Sequence, residues 1–390
     1  MKRMSLMGHM SHIGLMGLMG LMGLMGLVMT SCQEEAVEPE AATIEVQGFV
    51  SWFDEEVAKT RAWTIPSGYS AYENEENAIG ICFTKNSQEP KIGHFFRSSG
   101  KWRTNIEINS TEAKTPFYLY GYAPHSAGIS CSITDLDGAN ASYSTGAKLT
   151  LTNVPTIMPS DLCVVVGATN GKDYYNGAAD YEVPTLRRGT FSYQAAAIVP
   201  GDGGAGNFVY LLFEHLYAGL TLNIRVNGTY AALRTIKLKD MYLQSNNDDT
   251  PVKGKTRIDV ELTANGTGAN PVTDVTFTPT GTSGNYSSIF HSAAGEEITT
   301  AYKTFTSHFM TKDVNKLILT SVYDIYDNDG NLIRKDCRAT NTLDLTKLID
   351  RFAEVGVKAG TKYNVNMTIQ PTYLYMLSEP DLDNPDLTIN

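Results

Sequence analysis

Apolar and polar positions alternate along much of this chain, in short runs that turn residues interrupt. In the stretch from Tyr363 to Gln370, Tyr363, Val365, Met367 and Ile369 share one face, while Asn364, Asn366, Thr368 and Gln370 share the other. A two-residue period is that of a half-buried strand. The runs at 43–53, 78–84, 116–124, 146–154, 161–169, 217–226, 232–243 and 315–327 predict further strands. They are rich in branched and aromatic residues, and Gly, Pro, Asn or Asp bound most of them. Asp329-Gly330, within 326–331, predicts the centre of a hairpin turn. One amphipathic helix is predicted, from Leu345, Leu348, Ile349 and Phe352 at i, i+3, i+4 and i+7, ending at Gly356. Many short strands with frequent turns indicate a mainly β chain of two tandem β-sandwich domains. A Gly-rich break at 201–206 lies between two apolar runs and predicts their boundary, giving domains 62–200 and 201–370.

The first 31 residues follow another pattern. Lys2 and Arg3 precede a repeat of Leu, Met and Gly that runs to Met29, and the apolar run stops at Cys32. A positive start, an apolar middle and small residues before a break describe an export signal. The run from Gly14 to Met29 is shorter than the roughly 17–25 residues a membrane-crossing helix needs. Its five glycines each weaken a helix by about 1 kcal/mol against Ala. They recur at every third residue, but without the prolines of a collagen repeat. Met29-Thr30-Ser31-Cys32 resembles a bacterial lipobox, with Met where Leu is usual. That resemblance implies acylation of Cys32 as the new N-terminus. An ordinary secretory peptide with a bystander cysteine is the alternative. The acidic Gln33-Glu34-Glu35 resembles the surface-export tag of Bacteroidetes lipoproteins. Residues 32–61 then read as a tether and an N-terminal strand.

Charge narrows the partners. Lys2 and Arg3 are the only charges of the leader, so the remainder carries 29 Lys and Arg against 42 Asp and Glu, a net of −13. Nucleic acid demands a basic face, and anionic lipid attracts basic segments. Neither is an expected electrostatic partner. The cysteines beyond the leader are Cys82, Cys131, Cys163 and Cys337. Four thiols allow three pairings in an oxidising compartment. Their spacing supports no metal site, and buried free thiols suit a chain large enough not to need staples.

Several motifs are decoys. Residues 201–206 match G-x-G-x-x-G, but the apolar run Asn207–Phe213 that follows is strand-like, and a dinucleotide site needs a helix there. Residues 327–330 have neither the ligand spacing nor the closing glutamate of a calcium loop, and read as a plain turn. His94, His125, His215, His291 and His308 are scattered, with no partner at i+2 or i+4. His215 reads as ordering the start of a strand. No nucleophile elbow is present. Catalytic residues, metal and cofactor are therefore all expected to be none, and the chain is not expected to be an enzyme.

Residues 116–126, 146–168, 211–226 and above all 360–390 together resemble the fimbrillin family of Bacteroidetes surface lipoproteins, over nearly the whole chain beyond the leader. The resemblance implies two transthyretin-like β-sandwiches and a structural subunit of an adhesive fimbrium. It implies export as an outer-membrane lipoprotein and cutting by an arginine-specific protease. The cut falls between Arg61 and Ala62 and frees a strand that holds Ile44, Val46 and Val50. The tail 371–390 of a neighbouring subunit then fills the groove, through Tyr373, Tyr375, Leu377, Leu382, Leu387 and Ile389. Pro371, Pro380 and Pro385 discourage a regular internal strand there. The implied partners are other fimbrial subunits, the protease, a host or bacterial surface ligand, and the outer membrane through lipid. A cleavable start together with a long tail suits a shaft subunit. The alternative is a monomeric surface lipoprotein that binds glycan or a host ligand through a β-sandwich, although Trp52, Trp63 and Trp102 are few and scattered for that task.

Overall fold

The computed structural model describes residues 45–50, 78–98, 101–108, 115–126, 128–171, 188–193, 208–265, 270–284, 286–347 and 357–369. In chain order the strands are β1 (Glu45–Val50), β2 (Ala78–Thr84), β3 (Lys91–Ser98), β4 (Lys101–Thr104), β5 (Phe117–His125), β6 (Ser130–Thr134), β7 (Gly146–Pro155), β8 (Ile157–Met158), β9 (Cys163–Gly171), β10 (Ser192–Tyr193) and β11 (Phe208–His215). There follow β12 (Tyr217–Val226), β13 (Thr235–Asn247), β14 (Thr250–Pro251), β15 (Lys253–Thr263), β16 (Val272–Ser283), β17 (Ser287–Ile298), β18 (Lys303–Met310), β19 (Lys316–Tyr326), β20 (Leu332–Asp344) and β21 (Lys362–Ile369). A single helical turn, α1 (Gly228–Ala231), links β12 to β13 and is capped by the Asn227 side chain.

The chain is mainly β, with antiparallel pairing dominant, as the alternation predicts. The strands at 78–84 and 217–226 fall where their runs lie. The 326–331 turn also forms. The Asp327 carboxylate accepts from the backbone N–H groups of Asp329 and Asn331, and Gly330 takes φ +82°. Those bonds turn the carboxylate onto its own loop. Of the predicted helix, Leu345–Lys347 form a 3-10 turn, and the rest lies outside the described residues.

Four sheets result. The largest has eight strands in the order β1-β11-β9-β5-β2-β3-β4, with β10 beside β5. The others run β21-β12-β18-β8, then β14-β13-β19-β20 with β17 beside β13, and β16-β15-β7-β6. Strands cross the line at residue 200: β11 pairs with β9, β15 with β7, and β18 with β8.

The eight-stranded sheet is buried on both faces. Cys82, Tyr120, Tyr122 and Val164 project into the larger core, where they join Leu149, Leu151, Ile258 and Val260 of the β7–β15 sheet. Ile81, Phe83, Phe95, Leu119, Val165, Val209, Leu211 and Phe213 form a second, smaller core. Two-sided burial explains why every residue of β2 is buried and why it reads as a continuous apolar run. At its centre Gly80 leaves room for a ring: a Cβ there would stand 2.2 Å from Tyr122 Cε1.

Candidate functional site

Two features carry chemistry or assembly potential: the free rim of the eight-stranded sheet, and a polar knot at its heart.

The rim is β1. Its residues pair in parallel with β11, Val46 opposite Val209, Gly48 opposite Leu211 and Val50 opposite Phe213. Val209, Leu211 and Phe213 are buried in the smaller core. Among the described residues β1 has one hydrogen-bonding neighbour, so its departure breaks that ladder and bares the β11 backbone beside an apolar core. An uncovered row of N–H and C=O groups is a template for another strand. The other end of the chain is built alike. β21 lies at the rim of its own sheet and pairs in parallel with β12, from Gly219–Lys362 to Val226–Ile369. All other pairings among the described residues are antiparallel. β11 and β12 are separated only by Leu216, so one short junction receives both terminal strands.

Of the residues expected to act in assembly, Val46 and Val50 fall in β1. Cys32, Ile44, Arg61, Ala62, Tyr373, Tyr375, Leu377, Leu382, Leu387 and Ile389 lie outside the described residues.

The knot sits at the β9–β11 junction. His215 closes β11 and stands opposite Cys163, the first residue of β9. The His215 imidazole bonds the Asp161 carboxylate through Nδ1. Cys163 Sγ lies 3.4 Å from Asp161 Oδ2 and 3.6 Å from His215 Nδ1. All three residues are buried. His308 of β18 is buried nearby, and its Nδ1–H donates to the Pro159 carbonyl at 3.3 Å. Burial lowers the His308 pKa from its ordinary value.

Sequence reasoning missed this grouping. The available signal was the Asp-x-Cys spacing at 161–163, which places two side chains on the same side of an extended segment. The geometry is not that of a nucleophilic triad. Such a relay needs thiol and carboxylate on opposite ring nitrogens, and here both face Nδ1. The three ligand atoms lie within 4.8 Å of one another, a spacing a transition metal can bridge, but the Asp161–His215 bond already engages two of them. The Leu216 N–H donates to the Leu162 carbonyl at 2.8 Å beside the knot. Together these bonds fix where β9 begins and β11 ends, which sets the register of the strand that receives β1.

Polar or ring contacts engage the other described histidines. His125 Nδ1 lies 2.7 Å from the Tyr122 hydroxyl, the His94 and His125 rings stack at 4.7 Å, and His291 Nδ1 lies 2.6 Å from Asp240. Residue 208 opens a strand, so the G-x-G-x-x-G stretch is followed by β11 and not by a helix.

Among solved structures, the chain is similar to a fimbrial protein from Bacteroides vulgatus, at 14% identity over 84% of this chain and 95% of that one, with a TM-score of 0.33. It is also similar to a protein assigned to cell adhesion from Bacteroides ovatus, at 13% identity over 84% and 91%, with a TM-score of 0.33. A third, assigned to cell adhesion in Bacteroides uniformis, matches at 10% identity over 85% and 93%, with a TM-score of 0.35. These are Bacteroides fimbrial and adhesion proteins. At such identities and TM-scores the likeness by itself fixes neither a site nor a role. No family model matches the chain, and no curated protein matches it.

Proposed function

We propose that the chain is a structural subunit of an adhesive surface fimbrium. It is exported as an outer-membrane lipoprotein through Cys32, trimmed after Arg61 by an arginine-specific protease, and polymerised by strand exchange. The observation that carries this reading is β1: among the described residues it is an N-terminal strand at a sheet rim, paired in parallel with β11 beside a buried apolar core. Arg61 follows it in sequence, so a cut there severs β1 from the strands it serves. The tail 371–390 follows β21 in sequence, and among the described residues β21 is a rim strand.

Release of β1 leaves β11 open, and the tail of a second subunit is the strand of matching chemistry. Tyr373, Tyr375, Leu377, Leu382, Leu387 and Ile389 supply its apolar residues. A fully buried Leu or Ile contributes roughly 1.5–3 kcal/mol. The four Leu and Ile insertions give about 6–12 kcal/mol before ordering costs. Backbone bonds to β11 set the register. A removable start and a long tail make the chain a shaft subunit, joined to like or unlike subunits. The division at 200/201 then describes two sandwich bodies that share strands across that line.

The test is limited trypsin digestion followed by a gel without boiling. Cutting after Arg61 converts monomer into ladders, and deleting 371–390 abolishes them while the monomer stays folded. Ladders that survive the deletion overturn the donor-tail assignment. Mass spectrometry of the N-terminus on intact cells reads lipid on Cys32 and cutting at Arg61 together.

A further inference from the structure

Cys82 sits in β2, fully buried, and Cys131 sits half-buried in β6. Their Sγ atoms are 3.7 Å apart. The two strands belong to different sheets, β2 to the eight-stranded sheet and β6 to the β16-β15-β7-β6 sheet, and the two thiols meet in the larger core between them. The other thiols are placed elsewhere. Cys163 faces Asp161 and His215, and Cys337 stands on β20 of the five-stranded sheet. Of the six pairs that these four cysteines allow, the fold brings one within hydrogen-bond distance, Cys82 with Cys131.

We infer that in the exported chain Cys82 and Cys131 are joined by a disulfide that pins the two sheets, while Cys163 and Cys337 stay thiols. The inference rests on the export reading, because an oxidising compartment supplies the oxidant. That oxidant is a disulfide donor, either a thiol–disulfide oxidoreductase or glutathione disulfide. Cys131 is the more accessible thiol. Its thiolate attacks the donor disulfide and expels one donor thiol, forming a mixed disulfide. Cys82 then attacks Cys131 Sγ and expels the second donor thiol. One S–S bond forms and one breaks, two electrons pass to the donor, and the two protons lost by the protein end on the donor thiols. Contact with Cys131 and burial hold the Cys82 pKa well above its ordinary value. Cys82 is therefore a poor first nucleophile, and proximity drives the second step. Bond formation brings the two sulfurs from 3.7 Å to the ~2.05 Å of an S–S bond.

The test uses the full chain in two arms, with free thiols alkylated before lysis or unfolding and peptides mapped without reductant. One arm takes the chain exported by a Gram-negative host; the other takes reduced purified chain treated with glutathione disulfide. The expected result in both is a linked pair of peptides carrying Cys82 and Cys131, with Cys163 and Cys337 alkylated once the chain is unfolded. Links to Cys163 or Cys337, or Cys82 and Cys131 both found as thiols in both arms, overturn the geometry. A link formed by glutathione disulfide but absent from exported chain overturns the native bond and locates the failure in the export reading. A Cys131→Ser chain is expected to lose the link in both arms; a link of Cys82 to another cysteine in that variant counts against the pairing.

Discussion

Asp135 shows how one side chain can organise a loop. Its carboxylate accepts from the backbone N–H groups of Ala139 at 2.8 Å, Ala141 at 2.6 Å and Ser142 at 2.9 Å. The Ser142 bond is the largest of the influences that hold its pKa below the ordinary carboxylate value. A depressed folded-state pKa adds stability that is full above the unfolded value, about 3.9, and is lost as pH falls through the folded value. Urea midpoints are therefore expected to fall from pH 5 toward pH 2 in the wild type. Asp135→Asn is expected to be less stable at pH 7 and to show a shallower fall; an unchanged slope refutes the role. The Asp161–His215 pair is buried and unlike Asp135 in kind, because its partner is a side chain. Removing one member leaves a buried polar group behind, and His215→Ala is expected to cost about 3 kcal/mol in equilibrium unfolding. A cost below about 1 kcal/mol would show that the knot does not fasten the β9–β11 junction.

At the scale of elements, the proposed Cys82–Cys131 bond has a measurable consequence. It closes a loop spanning 49 residues in sequence, for which loop entropy gives about 4 kcal/mol. Oxidised chain is expected to melt several degrees above reduced chain, and equal midpoints by calorimetry would show the bond constrains nothing. The strands that sequence patterning predicted are those with strong apolar content, such as β2, β5, β9 and β12. β16, β17 and β20 escaped it because they are rich in Thr, Ser, Gly and charged residues and almost none of their side chains is fully buried. Solvent-facing outer strands bury too little for the alternation to show. β20 also carries Arg334, Lys335, Asp336 and Arg338 along a sheet rim, charges that discourage unwanted pairing. The hairpin at 326–331 was legible because Asp-Gly chemistry is local. The parallel seating of β1 and β21, and the convergence of Asp161, Cys163 and His215, were not legible. Both depend on contacts between residues far apart in sequence, which a local pattern does not encode.

At the scale of the whole molecule, charge sets a condition on assembly. After the proposed cut at Arg61 the chain 62–390 carries 27 Lys and Arg against 34 Asp and Glu, a net of −7, so two trimmed subunits repel before any strand is exchanged. The screening length falls from about 30 Å at 0.01 M salt to about 8 Å at 0.15 M. Like-charged encounters are slow at low salt and speed up as the field is screened. The proposed strand exchange seats the Tyr, Leu and Ile side chains of the tail against an apolar core, and burial of that kind is weakly affected by moderate salt. Trypsin-trimmed chain is therefore expected to form ladders several-fold faster at 0.15 M than at 0.01 M sodium chloride, with little change in their final length. Time courses on gels run without boiling measure both quantities. If salt slows the ladders, the joint depends on complementary charges between subunits, and the apolar tail is not what seats the strand. If the rate is indifferent to salt, exchange is limited by release of β1 rather than by encounter, and loosening β1 through Leu211→Ala should then accelerate it.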